Sequence, residues 1–391
     1  MALFYPKVEA MGIDLSDRSI KIGKAKKKGT EFILESLGEK NIPPGFINDG
    51  IINEDKETEL IEIIRGCLNE VKGSKITTRK AICSLPEENS FIKVIRIPKT
   101  TEEEIGEVVR WQIESNFPVK LKDVFFDWQV VSQEQKKEEK SMLVSVAVVP
   151  RTIVNSYLSI FSKLGIEPIV FEIESMSSIR GLIDGYAQKP VMIIDFGQCG
   201  TGITVFSGNT ILFTSHIDIS GQKLTEAIAK YLKISFDEAE DIKKSIGLVS
   251  MEEIIKKENS SRGLIKEVQK NENDKLANLK NTDFEPSEIF TSLVPILTDL
   301  TEQINNYIDY FKDFKNADII PTGSIEKIII CGGESKLVGF SRFLSKVLHI
   351  PVELGNPLKN VIVSKKISRE ASVDNFLSYA TLIGLMKRSD E

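Results

Sequence analysis

One short strand–turn–strand unit occurs twice in this chain. The first copy runs Gly12-Ile13-Asp14-Leu15-Ser16-Asp17-Arg18-Ser19-Ile20-Lys21-Ile22. The second runs Ile193-Ile194-Asp195-Phe196-Gly197-Gln198-Cys199-Gly200-Thr201-Gly202-Ile203. Asp14 and Asp195 align, each closing an apolar run just before a turn of small or polar residues. Such a turn offers backbone N–H groups and a hydroxyl to an anion, while its Asp can sit beside a bound cation. The chain has 391 residues, too many for one ordinary core. Two copies of the unit therefore predict two lobes that clamp a nucleotide's phosphate chain between them.

A third turn extends the pattern. Lys327-Ile328-Ile329-Ile330-Cys331 reads as a buried strand that ends in Gly332-Gly333-Glu334-Ser335, with a helix predicted over Leu337–Leu348. Glycines there let a planar ring lie against the backbone, and free N–H groups can meet an anion. No G-x-x-x-x-G-K-[ST] is present, which excludes a P-loop; no G-x-G-x-x-G follows a first strand, which speaks against a Rossmann site.

At 41% hydrophobic and 28% charged residues the chain reads as globular, and its net charge of −6 gives no electrostatic case for nucleic acid. The basic run Lys24–Lys28 reads as a solvated hairpin end. Cys67, Cys83, Cys199 and Cys331 form no C-x-x-C pair, as expected of reduced thiols. The only histidines are His216 and His349, which leaves little support for histidine catalysis or a His-rich metal site. No stretch approaches the roughly 20 apolar residues of a membrane span, and the N-terminus lacks a signal peptide's apolar core. The expected location is the cytoplasm.

Hydrophobic periodicity predicts strands at Gly12–Leu15, Ile20–Ala25 and Phe32–Leu37, helix Glu57–Val71 and strand Ala81–Leu85. A new rhythm follows Pro86: strand Phe91–Ile97, helix Glu102–Asn116 with Thr100 and Thr101 as caps, strands Val124–Val131 and Met142–Val149, and helix Arg151–Leu164. The charged stretch Gln133–Lys140 is read as a hairpin loop. Ile105, Val108, Val109, Ile113 and Trp111 give the first of these helices an apolar face. This β-α-β-β-α order predicts a small α+β module inserted in the first lobe. The run from Ile169 to Met176 leads into a helix expected over Ser177–Ala187. Strands Met192–Asp195, Gly202–Phe206 and Thr210–Ile219, then helices Lys223–Leu232 and Phe236–Ile246, repeat the first lobe's opening. The stretch Glu252–Asp283 is polar and carries no assigned chemistry. A long helix is expected over Pro286–Phe314 and a last one, packed in the core, over Asn375–Met386.

With these three turns the chain resembles the actin-like ATPase superfamily, which includes actin, hexokinases and the cell-division protein FtsA. Within it the type IV pilus assembly protein PilM family is similar along nearly the whole length. Ser84-Leu85-Pro86-Glu87 followed by Phe91-Ile92-Lys93-Val94-Ile95-Arg96-Ile97-Pro98 resembles the start of that family's inserted module. Further similar segments are Glu102–Ile105, Val109–Glu114, Phe117-Pro118-Val119, Leu164–Pro168, Leu348–Glu353 and Asn356-Pro357.

The resemblance implies an α/β, actin-like two-lobed fold of duplicated RNase H-like domains. Residues 1–87 would form the start of the first lobe, 88–165 the inserted module and 166–187 the interlobe connection. Residues 188–232 and 321–375 would build the second lobe's core, 233–320 its helical subdomain, and 376–391 a helix returning to the first lobe. It also implies ATP and Mg as ligands. Asp14 and Asp195 would stand near the metal through water. Ser16, Asp17, Arg18, Ser19 and Lys21 match the first phosphate loop; Gly197, Gln198, Cys199, Gly200 and Thr201 match the second. Gly332, Gly333, Glu334 and Ser335 match the adenosine turn. Glu172 and Glu174 fall in the connection where active relatives orient the attacking water, and hinge or solvated carboxylates are the preferred reading for both.

One departure stands out. Ser16 occupies a place where that family's first loop usually has Gly, and Asp17 and Arg18 replace small hydroxyl residues. A β-carbon restricts backbone approach, and an inward Asp17 would repel phosphate, which Arg18 can offset. No residue stands out as a general base, so ATP binding with slow or absent hydrolysis is expected. The partner the resemblance implies is the short cytoplasmic N-terminal tail of PilN, held in a groove between the first lobe and the inserted module. Other inner-membrane platform proteins of the pilus, and self-association, come with the same expectation; nucleic acid and direct membrane insertion do not. The alternatives are an FtsA-like division or filament protein and a small-molecule kinase on the same fold. A related secretion system in place of a pilus is also left open.

Overall fold

The computed structural model describes residues 9–131, 140–248, 284, 286–313, 323–367 and 373–388. The expected loop at 133–140, all but its last residue, and the polar stretch 252–283 lie outside them. Along the chain come β1 (Met11–Leu15), β2 (Ser19–Lys28), β3 (Glu31–Asn41), α1 (Glu57–Asn69) and β4 (Lys80–Leu85). The inserted segment supplies β5 (Phe91–Pro98), α2 (Ile105–Asn116), β6 (Val124–Val130) and β7 (Ser141–Pro150), followed by α3 (Arg151–Lys163), β8 (Glu167–Ile173) and α4 (Glu174–Leu182). Then come β9 (Ala187–Phe196), β10 (Thr201–Gly208), β11 (Thr210–Ile217), α5 (Gly221–Leu232), α6 (Phe236–Ile246) and α7 (Pro286–Asp313). The chain closes with β12 (Lys327–Cys331), α8 (Phe340–Leu348), β13 (Val352–Leu354), β14 (Val361–Val363) and α9 (Ala380–Arg388).

The strands form two sheets. The first runs β8-β4-β1-β2-β3-β14, with Lys72–Gly73 also pairing β3; the second runs β13-β12-β9-β10-β11-β5-β7-β6. The sequence repeat is a repeat in register. Asp14 lies opposite Lys21 in the antiparallel β1–β2 pair, and Asp195 lies opposite Gly202 in β9–β10. Each Asp-bearing strand also has a parallel neighbour, β4 beside β1 and β12 beside β9. Strands covered on both faces are near-continuously apolar, and β1 is buried at all five positions.

The inserted strands extend the second sheet, through a single ladder pair, Phe213 with Lys93, although the chain inserts them in the first lobe. Helix α3 packs into the first core, where Tyr157 and Phe161 meet Ile13 and Leu15. Helix α2 buries Ile105, Val109 and Ile113 on its own strands, whereas Trp111 is 81% exposed and off that face. The helix starts at Ile105 rather than Glu102. The Thr100 hydroxyl donates to the Glu104 carboxylate (2.5 Å) instead of capping a backbone N–H.

Three other boundaries shift for local reasons. Helix α4 opens at Glu174 rather than Ser177 and stops at Leu182, because Ile183 is extended and the chain already enters β9 at Ala187. Helix α8 starts at Phe340, since Gly333–Lys336 makes a tight 3-10 turn and Gly339 (φ +80°) resets the backbone. Near the end, Val373–Phe376 and Leu377–Tyr379 are short separate turns before α9.

Helices α4 and α9 cross at backbone contact. A Cβ on Gly384 would overlap the Ser177 carbonyl, and one on Gly181 would overlap the Ala380 carbonyl. On its other side α9 lies over Gly12 and Gly23, whose missing side chains make room for Leu382 and Met386. Overpacking at such a site costs about 1–3 kcal/mol. Gly384→Ala should therefore lower the unfolding temperature by several degrees. Gly106→Ala in α2, with only Trp128 nearby, should leave it unchanged or raised by the helix preference for Ala, up to ~1 kcal/mol. Thermal unfolding of the two variants checks the crossing.

Candidate functional site

The strand ends of the two sheets face one another across a cavity of about 950 Å³. Asp14, the Ser16–Ser19 turn and Lys21 line one side; Asp195 and the Gly197–Gly200 turn line the other; Gly332, Gly333 and Glu334 also line it. Three of the expected residues stay out. The Thr201 hydroxyl donates to the Ile219 carbonyl (2.5 Å) and the Ser335 hydroxyl to the Gly332 carbonyl (2.7 Å), so both brace turns from behind. Glu172 accepts from Ser177 (2.7 Å) and from both Arg180 Nη atoms (2.7 and 2.9 Å), with Arg388 at 3.3 Å. Its carboxylate is a structural anchor outside the cavity.

Hairpin hydrogen bonds shape the turns. Ser16 N–H donates to the Ser19 carbonyl (2.9 Å), and Gly197 N–H to the Gly200 carbonyl (2.9 Å). The second turn is pinned to the start of α5 by Gly221 N–H to Gly197 O and Gln222 N–H to Gln198 O, each 3.0 Å. Close approach demands glycine at two places: a Cβ on Gly200 would enter the His216 ring, and one on Gly332 (φ +90°) would meet the Asp195 carboxylate. Beyond Gly333 the space is open.

The departures in the first turn find partners. Asp17 accepts the backbone N–H groups of Asp49 (2.8 Å) and Gly50 (3.0 Å). Arg18 reaches across the cavity, donating from Nη2 to Gln222 Oε1 of the opposite lobe (3.0 Å), while its buried Nη1 has no partner. A buried guanidinium N–H left unpaired is costly, and an anion beside Arg18 would satisfy it once the side chain turns toward the cavity.

Eleven carboxyl-bearing residues line the same cavity, and burial raises five of them: Asp14, Glu87, Glu88, Glu174 and Asp195. Burial pushes Asp14 up against the opposing pull of Lys21 (3.8 Å) and the Ser84 hydroxyl (3.1 Å). Burial, then the Asp14 charge, raises Asp195 to about 6. Burial raises Glu88 to about 7, with Asp17 and Glu87 adding to it. Glu174 is raised well above its ordinary value, by burial and then by Glu88, Asp14 and Asp195 around it. Among the described residues no three His, Cys, Asp or Glu groups come close enough to ligate one metal ion. A cation here would be held through water by Asp14 and Asp195.

Sequence reasoning missed several of these residues. Glu87 and Glu88 follow β4 directly, so the parallel alignment of β4 with β1 carries them to the Asp14 end. Glu240 and Lys243 sit one helical turn apart on α6. Buried Lys243 bonds Glu240 (2.9 Å), Glu334 (2.9 Å) and the Gly221 carbonyl (3.0 Å), tying the Gly332–Glu334 turn to α5 and α6. Burial alone would raise Glu240, but the Thr225 hydroxyl and the two lysines bring it down to about 2. The Ala239-Glu240-x-Ile242-Lys243 spacing was the available signal.

A family model described as type IV pilus assembly protein PilM matches residues 12–254. The chain belongs to that family. A model for cell division protein FtsA matches residues 192–384. The FtsA of Buchnera aphidicola subsp. Baizongia pistaciae is 29% identical over 201 residues, a match spanning 50% of this chain and 43% of that relative. Among solved structures, a PilM–PilN type IV pilus biogenesis complex superposes with a TM-score of 0.75 at 21% identity, over 99% of this chain and 100% of that one. MreB 5 of Spiroplasma citri bound to AMPPNP gives 0.51 at 14% identity, over 96% and 94%. The ethanolamine utilization protein EutJ of Carboxydothermus hydrogenoformans gives 0.52 at 16%, over 98% and 90%. The fold is the actin-like two-domain one.

A second cavity of about 430 Å³ lies where the PilM-type module meets the second lobe. Phe91–Lys93 and Asn116–Pro118 wall one side, Phe213–Ser215 of β11 and residues of α7 the other. Its walls thus come from the module and the second lobe, not from the first lobe.

The charge cluster gives a pH test. A carboxyl raised in the folded chain favours folding while protonated; that contribution is full below the unfolded value near 4 and is lost as pH rises through about 6 for Asp195. Asp195→Asn should match the parent's stability near pH 4 and exceed it at pH 7, by about 3 kcal/mol. Unfolding followed across this pH range decides it; a gap independent of pH would show that Asp195 pays no burial cost.

Proposed function

We propose that this chain is an ATP-binding scaffold of type IV pilus assembly that holds the cytoplasmic N-terminal tail of PilN and thereby sits against the inner membrane. The carrying observation is the cavity itself: three strand-end turns, an unpartnered Arg18 N–H and a wall of carboxyls in one enclosure. The Ser16–Ser19 and Gly197–Gly200 turns, with Arg18 and Lys21, take the phosphates. Asp14 and Asp195 hold a hydrated Mg ion, whose charge offsets the carboxyl cluster. The adenosine lies by Gly332 and Gly333, near the half-exposed Phe236 ring, and the ionised Glu240 accepts hydrogen bonds from the ribose hydroxyls.

Slow or absent turnover goes with this reading. Glu174 lines the cleft at the start of α4, and in the unliganded chain burial, then Glu88, Asp14 and Asp195, raise it well above the ordinary carboxyl value. A carboxyl so raised is a weak candidate for a base, which also weighs against the kinase reading. Helix α9 is buried along its length between α4 and the first sheet, a packed part of the fold.

The second cavity suits the PilN tail. The solved neighbour is a complex of PilM with PilN, and here Phe91, Phe117, Phe213, Tyr307 and Tyr310 give an aromatic lining with Gln303 and Asn306 at its polar edge. Such a mix of apolar wall and few polar groups is typical of a peptide groove.

Calorimetry tests both halves. Mg-ATP should bind the purified chain, and Asp195→Ala should abolish it. A labelled peptide of the PilN tail should bind too, and Asn306→Arg should weaken it at least tenfold while leaving ATP binding intact. A peptide that binds neither protein would remove the scaffold reading.

A further inference from the structure

We infer that the Pro86–Ser90 turn is a coupling element, which transmits occupancy of the cleft to the groove between the module and the second lobe. This rests on the reading of those two cavities given above and adds the part that joins them. The turn is stiff. Ser90 N–H donates to the Glu87 carbonyl (3.1 Å) and the buried Ser90 hydroxyl to the Pro86 carbonyl (2.6 Å). Residues on it face both cavities: Glu87 and Glu88 line the cleft, and Phe91–Lys93, immediately after it, line the groove.

Three links converge on this turn. Asp17, in the first phosphate turn, holds the N–H groups of Asp49 and Gly50; the Asp49 carbonyl accepts from Asn89 Nδ2 (2.9 Å). Glu87 Oε2 accepts from Ser175 N–H (3.2 Å) in the first turn of α4, the helix that leaves the interlobe connection. Ile92 N–H donates to Thr214 Oγ1 (3.1 Å) on β11, and that hydroxyl also lies beside the Glu87 carboxyl. Strand β11 continues from Thr214 and Ser215 in the groove to His216, which packs on Gly200 of the second phosphate turn.

Two arrangements follow. In the one observed, Glu87 Oε1 is buried in a residue only 6% exposed and has no hydrogen-bond partner. With the cleft filled, the Ser16–Ser19 turn is held between the phosphates and the Asp49–Asn89 link, and a shift of the Glu87 side chain lets Oε1 accept from a donor such as a water of the hydrated cation. Both changes act on one rigid turn, whose next residues are a wall of the groove. The Asp17 that replaces a small hydroxyl residue is thereby a tether, not a repulsive intruder.

Amide hydrogen exchange on the full chain tests this, with and without Mg-AMPPNP, alongside calorimetry of the same samples. Exchange across Phe91–Lys93 and Phe213–Ser215 should slow at least fivefold on nucleotide binding. Asn89→Ala, outside both cavities, should bind nucleotide within twofold of the parent yet lose the response, and Glu87→Gln should reduce it. Binding without any change at 91–93 overturns the coupling alone, as does a full response in Asn89→Ala. Absence of nucleotide binding fails the cleft reading and takes the coupling with it.

Discussion

The close crossing of α4 and α9 is the constraint on which the rest of the molecule depends. Gly181 and Gly384 let two helix backbones touch, so α9 can fill the space between α4 and the first sheet. Glu172 then ties the assembly from below, through Arg180 of α4 and Arg388 of α9. A carboxylate paired with two guanidinium groups holds a geometry that apolar packing alone leaves free to slide. That geometry decides where α4 begins, and α4 begins with Glu174 and Ser175 at the cleft. Functional precision at the phosphate end is thus set by packing on the opposite side of the sheet.

The cleft is an unfavourable place in the absence of ligand. Five carboxyls raised by burial share one enclosure with Arg18 and Lys21, and Arg18 keeps an unsatisfied N–H. Burial first and like charges second favour the protonated form there, and both push Glu88, Glu174 and Asp195 above the ordinary carboxyl range. A polyphosphate with its cation reverses each term: the anion satisfies Arg18 and Lys21, and the cation stabilises ionised carboxylates. Affinity in such a site comes largely from relieving a cost already present in the folded chain, and a ligand that binds only the folded form stabilises it accordingly.

The two Asp-bearing hairpins and the Gly-Gly turn were legible because each is local: an apolar strand, a polar hinge, and the register between them lie within a dozen residues. Glu87 and Glu88 were not legible as site residues, because what brings them to Asp14 is the parallel pairing of β4 with β1, an alignment between distant segments. Glu174 was visible but its role depended on where α4 starts, and the pattern placed that start three residues late. Trp111 was misread for a different reason. It stands three residues after Val108, a helical neighbour, but six after Ile105 and two from Val109 and Ile113, which turns it to the opposite side of α2 from the face those three bury. The Asp17 departure could be seen and not interpreted, since its partners are the backbone N–H groups of Asp49 and Gly50.

That last residue shows how a family loop can change without losing its place. A small hydroxyl residue at position 17 would offer one more donor to phosphate; an aspartate gives two acceptors to a neighbouring hairpin instead. In the proposed reading the exchange shifts the first turn from a ligand grip toward a mechanical connection, and direct contact with phosphate would fall to Arg18, Lys21 and the second, glycine-rich turn. In an enzyme that turned over rapidly this would weaken the grip where the transition state forms. In a scaffold, whose output is the shape of a groove, a stiff connection from phosphate turn to groove wall is worth more than one further hydrogen bond. The residue that might have gripped phosphate is committed to the backbone of another loop, and the carboxyl at the start of α4 is raised by burial and then by its acidic neighbours. Both features suit the proposed reading, in which a nucleotide is held and sensed rather than rapidly turned over.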